Sequence, residues 1–179
     1  MREVNPGPTW VFGYGSLIYK VDFPFIRREV ASITGWQRRF WQGSHDHRGT
    51  PEQPGRVVTL TPAAGRICRG VAYLVEPGVF AHLDHREKNG YQRVATRILF
   101  EKSGPGAPVE SVEGVFYFAA PDNPAFLGEA SIGEIASHIA ASHGPSGSNR
   151  DYLLRLAAAL RELGDGDEHV MGLESLLAG

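Results

Sequence analysis

The stretch "HLDHREKNGY", residues 82–91, crowds ionisable side chains into ten positions. Glu87 is the one best placed for proton chemistry. The residues before it read as a short helix, so Glu87 sits at a helix end, just before the Asn89-Gly90 turn. The negative end of a helix dipole raises a carboxyl pKa, and burial in a pocket raises it further from about 4.3. Arg86 and Lys88 oppose that where they face it. A carboxyl lifted in this way is a usable general acid/base; the alternative is a solvated glutamate in a charged helix end. A second stretch, "GYGSL" at 13–17, follows the apolar run Trp10-Val11-Phe12. Its glycines let a ligand approach the backbone, and successive amides there form an anion-binding concavity with the Ser16 hydroxyl beside it. A plain strand-end turn is the other reading. No Gly-Lys-Ser/Thr follows and Ser16 lies in no Gly-x-Ser-x-Gly elbow, which disfavours a P-loop and a serine hydrolase. His82, Asp84, His85 and Glu87, or His45 with His47, raise metal binding, but no His-Glu-x-x-His spacing supports it. No metal is expected.

These groups need elements to hold them. Residues 9–15 read as a short strand, and 28–44 as a long one bent or bulged at Gly35. Runs 55–62 and 66–77 are β-branched, and Ala63-Ala64-Gly65 between them reads as a hairpin turn. Residues 77–87 suit a short helix, and strands follow over "YQRVATRILFEK" and 109–120. The period then changes. Ser131 and Glu134 form a capping box ahead of Ile132, Ile135 and Ile139. "GPSGS" (144–148) breaks that helix, and Ser148 with Asp151 starts another, striped by Leu153, Leu156 and Leu160. Asp167 caps a last helix ending near Leu177. The expectation is an α+β domain: a small antiparallel or mixed sheet, curved into a β-barrel, flanked by helices. One domain spans 1–179, sheet-rich to about residue 120 and helical over 131–179.

With 179 residues and 42% apolar content, a real core is affordable. A net charge of −2 without a Lys/Arg-rich block leaves no nucleic-acid footprint, and no apolar run reaches membrane-span length. The N-terminus lacks a signal-peptide core, so a cytoplasmic protein is expected. Cys68 has no partner for an internal disulfide and sits in an apparent strand as a small apolar residue.

Five blocks, "WVFGYGSLIYK", "RRFWQGSHDHRGTPEQPGRVVTL", "GVAYLV", "LDHREKNGY" and "GPSGSNRDYLLRL", occur in this order between Trp10 and Leu163. Together they resemble the ChaC-type, glutathione-specific branch of the γ-glutamylcyclotransferases. The resemblance implies a small barrel with flanking helices. It also implies cleavage of glutathione, the small-molecule substrate, to 5-oxoproline and cysteinylglycine without metal or cofactor. By position, Val11, Phe12, Gly13, Tyr14, Gly15 and Ser16 match that family's substrate-binding loop, and Glu87 its catalytic acid/base. Tyr19 and His45 depart from the pattern, and the tail after Leu163 falls outside it. Leu17 joins the loop if the amides of Gly15, Ser16 and Leu17 grip the substrate's α-carboxylate. Tyr91 and Tyr117 either bond substrate or pack with their hydroxyls outward. Arg48 either pairs with the glycine carboxylate or makes a structural salt bridge. Trp36, Phe40 and Trp41 read as core. Rival readings are a cyclotransferase for other γ-glutamyl amines, a non-catalytic binder of a γ-glutamyl compound and, last, a metal hydrolase.

Overall fold

A computed structural model describes residues 7–86, 91–101 and 110–178. Its frame is a pair of long strands, β2 (Arg27–Ser44) and β3 (Gly55–Val75), rich in the residues that suit a pleated, half-buried surface. They run antiparallel from Arg27↔Leu74 to Ser44↔Gly55. β1 (Thr9–Gly13) lies antiparallel along the end of β3. β4 (Tyr91–Phe100) and β5 (Ser111–Ala119) pair with each other, and β4 joins β2 through Ala31↔Phe100. A parallel contact of β1 with β5, at Trp10↔Gly114 and Val11↔Val115, closes the barrel in the order β1-β3-β2-β4-β5. Closure gives each strand of the main sheet a neighbour on both sides, with β1–β5 and β2–β4 meeting over two residue pairs each.

The expected turn at Ala63-Ala64-Gly65 is not a turn. β3 runs straight through it, and both halves pair with β2. The register steps from Thr34↔Ile67 to Trp36↔Pro62, so Gly35 alone stands opposite the run from Ala63 to Arg66. Gly35 (φ 89°) and Gly65 (φ 77°) take left-handed backbone there, and the double strand bends instead of reversing. The bend also switches which residues face inward. Ala31 and Ile33 are buried before it; Arg38, Phe40 and Gln42 are buried after it.

α1 (Val79–Arg86) links β3 to β4. α2 (Ile132–Ala141) starts at the capping box of Ser131 and Glu134. A two-residue hairpin, β6 (His143–Gly144) with β7 (Gly147–Ser148), occupies the "GPSGS" break. α3 (Asn149–Glu162) is capped by Ser148 and α4 (Glu168–Leu177) by Asp167, each through its side-chain oxygen. Ile135, Ile139, Leu153, Leu156, Leu160 and Leu173 are fully buried and continue the barrel's core. The start of α3 is fixed to β3 by a reciprocal pair: Arg56 N–H donates to Asn149 Oδ1, and Asn149 Nδ2 donates to Arg56 O, both at 2.7 Å. Phe40 is core as expected and meets Tyr152 edge-on; Trp36, edge-on to Phe116 and Phe118, and Trp41 are partly buried and pack against that core. Cys68 is buried, and burial pushes its thiol up to about 11, far from thiolate reactivity.

Candidate active site

Where β1 ends, the chain passes Gly13, Tyr14 and Gly15 and enters a 3₁₀ turn, Ser16–Ile18. Every carbonyl in this passage from Tyr14 to Leu17 is taken by the protein. Arg38 Nε donates to Tyr14 O at 2.6 Å. Ile18 N–H donates to Gly15 O, and the Tyr19 and Lys20 amides share Ser16 O. The Tyr73 hydroxyl donates to Leu17 O at 2.6 Å. The amides of Gly15, Ser16 and Leu17, by contrast, have no acceptor among the described residues. They are the unpaired donors that begin any helical turn, and these three residues line a cavity of about 1000 Å³. That volume is at the upper end for small-molecule sites. Gly15 is required here by space: a Cβ would come within 2.9 Å of Val58 Cγ2 and 3.3 Å of Tyr152 Oη.

Phe12, Gly13, Tyr14, Gly15, Ser16 and Leu17 all line the cavity. Val11 does not; it pairs with Tyr73 and Val115 and is wholly buried in the core. Tyr91 and Tyr117 both reach the cavity wall. The Tyr117 hydroxyl donates to Asp84 Oδ1 at 2.6 Å, and burial, with that hydrogen bond next, keeps the phenol protonated far above its ordinary range. The Tyr14 hydroxyl donates to Tyr117 O at 2.6 Å, joining the loop to β5. Arg48 lines the cavity while making the structural contacts that were its alternative: Nη1 lies 3.1 Å from Ser148 O and 3.4 Å from Asp151 Oδ2, with the guanidinium over the Tyr152 ring. Glu87 lies outside the described residues. On either side of it in the chain, Leu83 of α1 and Tyr91 of β4 line the cavity. His45 and Tyr19, the two departures from the family pattern, line it too. Among the described residues no group of His, Cys, Asp or Glu is arranged to hold a metal ion.

Two residues at this site escaped the sequence reading. Tyr152 was seen only as part of a helix-start block, yet its hydroxyl accepts from Val58 N–H at 3.3 Å and abuts Gly15. Burial holds that phenol well above its ordinary range, so its own proton stays available for donation. Arg38 was passed over as one of two arginines in "QRRFW". The period-2 register with buried Phe40 was the signal that would have turned it inward.

The model of the ChaC-like protein family matches residues 9–178 of this chain. The chain belongs to the ChaC-like family. The match takes in the tail after Leu163, beyond the sequence-level resemblance. This ChaC-like chain is 46% identical to γ-glutamylcyclotransferase 2-3 of Arabidopsis thaliana, over 92% of its own length and 85% of the relative's. It is 43% identical to glutathione-specific γ-glutamylcyclotransferase 1 of Danio rerio, over 94% and 88%. Its fold matches the crystal structure of a yeast γ-glutamyl cyclotransferase described as specific to glutathione, with a TM-score of 0.87, 32% identity and coverage of 97% and 96% of the two chains.

Proposed function

We propose that this chain cleaves the γ-glutamyl bond of glutathione by intramolecular aminolysis, giving 5-oxoproline and cysteinylglycine. The zebrafish and yeast relatives carry that substrate in their names. The observation that carries the reading is the loop at the cavity: its carbonyls are turned into the protein, and its Gly15, Ser16 and Leu17 amides are left without an acceptor among the described residues. Such a row of donors suits the α-carboxylate of a γ-glutamyl group. With that end anchored, the α-amine folds back toward its own γ-carbonyl, and much of the entropy cost of ring closure is met by binding.

The chemistry then needs one proton carrier. The amine nitrogen attacks the γ-carbonyl carbon, the bond to the cysteinyl nitrogen breaks, and one proton moves from the attacking nitrogen to the leaving one. No enzyme nucleophile, water or oxidant enters the balance. We assign the proton transfer to Glu87 as base and then acid. The Tyr152 phenol, which stays protonated and accepts from Val58 N–H, has its own proton available for the substrate, whereas the Tyr117 proton is already given to Asp84. We assign the protein to the cytosol, where a lone thiol needs no disulfide partner; among the described residues no helix is long and apolar enough to cross a membrane.

The test is turnover of reduced glutathione by purified protein, read as cysteinylglycine released, beside γ-glutamyl amino acids as competing substrates. Glutathione should be the preferred substrate. Glu87→Gln should fold with an unchanged melting temperature and lose about 10³-fold in kcat, within the range general acid–base catalysis contributes. A variant that stayed active would remove Glu87 from the mechanism, and tight glutathione binding without 5-oxoproline would make the protein a binder.

A further inference from the structure

Arg38 is the most deeply buried cation among the described residues, with 1% of its surface exposed, and it lies outside the cavity lining. Its guanidinium is shared among separate parts of the fold. Nε donates to Tyr14 O in the loop after β1. Nη2 donates to Arg69 O on β3. Nη1 donates to Asp167 Oδ2 at 2.8 Å and to Asp165 Oδ2 at 3.4 Å. Those two carboxylates belong to the segment after Leu163, which lies outside the five blocks that carry the resemblance. Asp167 also caps α4 with its other oxygen.

The bond to Tyr14 O has a consequence for the next residue. In a trans peptide the carbonyl and the following N–H point in opposite directions, and the described chain contains no cis bond. Pulling Tyr14 O toward Arg38 therefore turns the Gly15 N–H away from the guanidinium. Gly15 itself lines the cavity, and its amide has no acceptor among the described residues. We propose that Arg38, held by Asp165 and Asp167, is a positioning residue: it sets the peptide plane between Tyr14 and Gly15 so that the Gly15 amide presents to the substrate carboxylate. The tail after α3 thus serves the active site without entering it. The inference rests on the loop being the carboxylate anchor.

The planar fork of arginine is what allows one side chain to hold acceptors in several directions; lysine keeps the charge without the fork. Arg38→Lys should therefore raise KM for glutathione by about 10-fold or more with a much smaller change in kcat, the pattern of a lost contact made equally in ground and transition states. Asp167→Asn keeps an oxygen that caps α4 nearly as well while withdrawing the charge that orients the guanidinium, and should raise KM by a smaller, roughly 3-fold step. Both are assayed below the onset of melting, and the ¹⁵N–¹H resonance of Gly15 is followed in parallel and should move in both. A purely structural ion pair predicts lower melting temperatures with KM and the Gly15 resonance unchanged, and that result overturns the proposal. Should Arg38→Lys fail to fold, Asp167→Asn decides alone. Should the wild-type protein not turn over glutathione, the functional reading falls, and an unmoved Gly15 resonance would still count separately against Arg38.

Discussion

Gly15 shows how little room the candidate site leaves at the scale of one residue. The distances to Val58 Cγ2 (2.9 Å) and Tyr152 Oη (3.3 Å) are those of a Cβ the chain does not have. Gly15→Ala must move the loop, and displacement of an anchoring group by about 1 Å costs on the order of 10²-fold in rate. We expect kcat/KM for glutathione to fall by about that factor. Val58→Ala removes the nearer obstacle, so the double variant should recover part of the loss; no recovery would mean the collision is not the cause. The residues of the loop, Tyr91 and Tyr117 line one cavity, as the resemblance implied for the loop; the residues alone left a plain turn and packed phenols open. Arg38 and Tyr152 were not legible in the sequence, because their roles depend on partners more than ninety positions away in sequence, Tyr152 on Val58 and Arg38 on Asp165 and Asp167. Val11 was included with the loop by its neighbours; it is wholly buried between β3 and β5 and does not line the cavity.

At the scale of elements, local signals were read well where the cause is local. The capping box at Ser131 and the caps at Ser148 and Asp167 start helices where sequence placed them, since a side-chain oxygen two or three residues ahead is all a cap needs. The bend at Gly35 was legible for the same reason. The supposed hairpin at Ala63-Ala64-Gly65 failed because a turn and a bulge use the same residues, and only the strand opposite tells them apart. The parallel closure of β1 on β5 was likewise out of reach: it joins residues about a hundred positions apart. The bend offers a clean test. At both Gly35 and Gly65 a Cβ would meet nothing within 4 Å, so only the backbone conformation carries a penalty. Gly35→Ala should cost roughly 1–2 kcal/mol in urea denaturation, and Gly35→Asn less, because asparagine tolerates left-handed backbone. Equal stability of the alanine variant and wild type would show that the bend does not need the left-handed conformation.

Across the whole molecule, the C-terminal helix is tied to the barrel by a histidine that must stay neutral. Phe40 N–H of β2 donates to Nε2 of His169 in α4 at 3.0 Å, so that nitrogen has to be unprotonated. Burial lowers the His169 pKa from 6.5 to about 4; Arg39 pushes the same way and Asp167 opposes. The sign follows. The unfolded chain binds this proton near pH 6.5 and the folded protein only near pH 4, so the contribution is complete above the unfolded value and fades as pH drops from 6.5 to 4. A gap of that size amounts to on the order of 3 kcal/mol. Carboxylates titrate over part of the same range, so the measurement is a difference: urea unfolding of wild type and His169→Gln at pH 7.5 and pH 4.5. Glutamine offers Phe40 an acceptor that does not titrate. The variant should be somewhat less stable than wild type at pH 7.5 and match or exceed it at pH 4.5. Parallel pH profiles for the two proteins would show that the tie between α4 and β2 does not depend on the charge state of His169. The same contact lies beside the Arg38 cluster through Asp167, so α4 is joined to the barrel at neighbouring points, one sensitive to acid and one that reaches the loop.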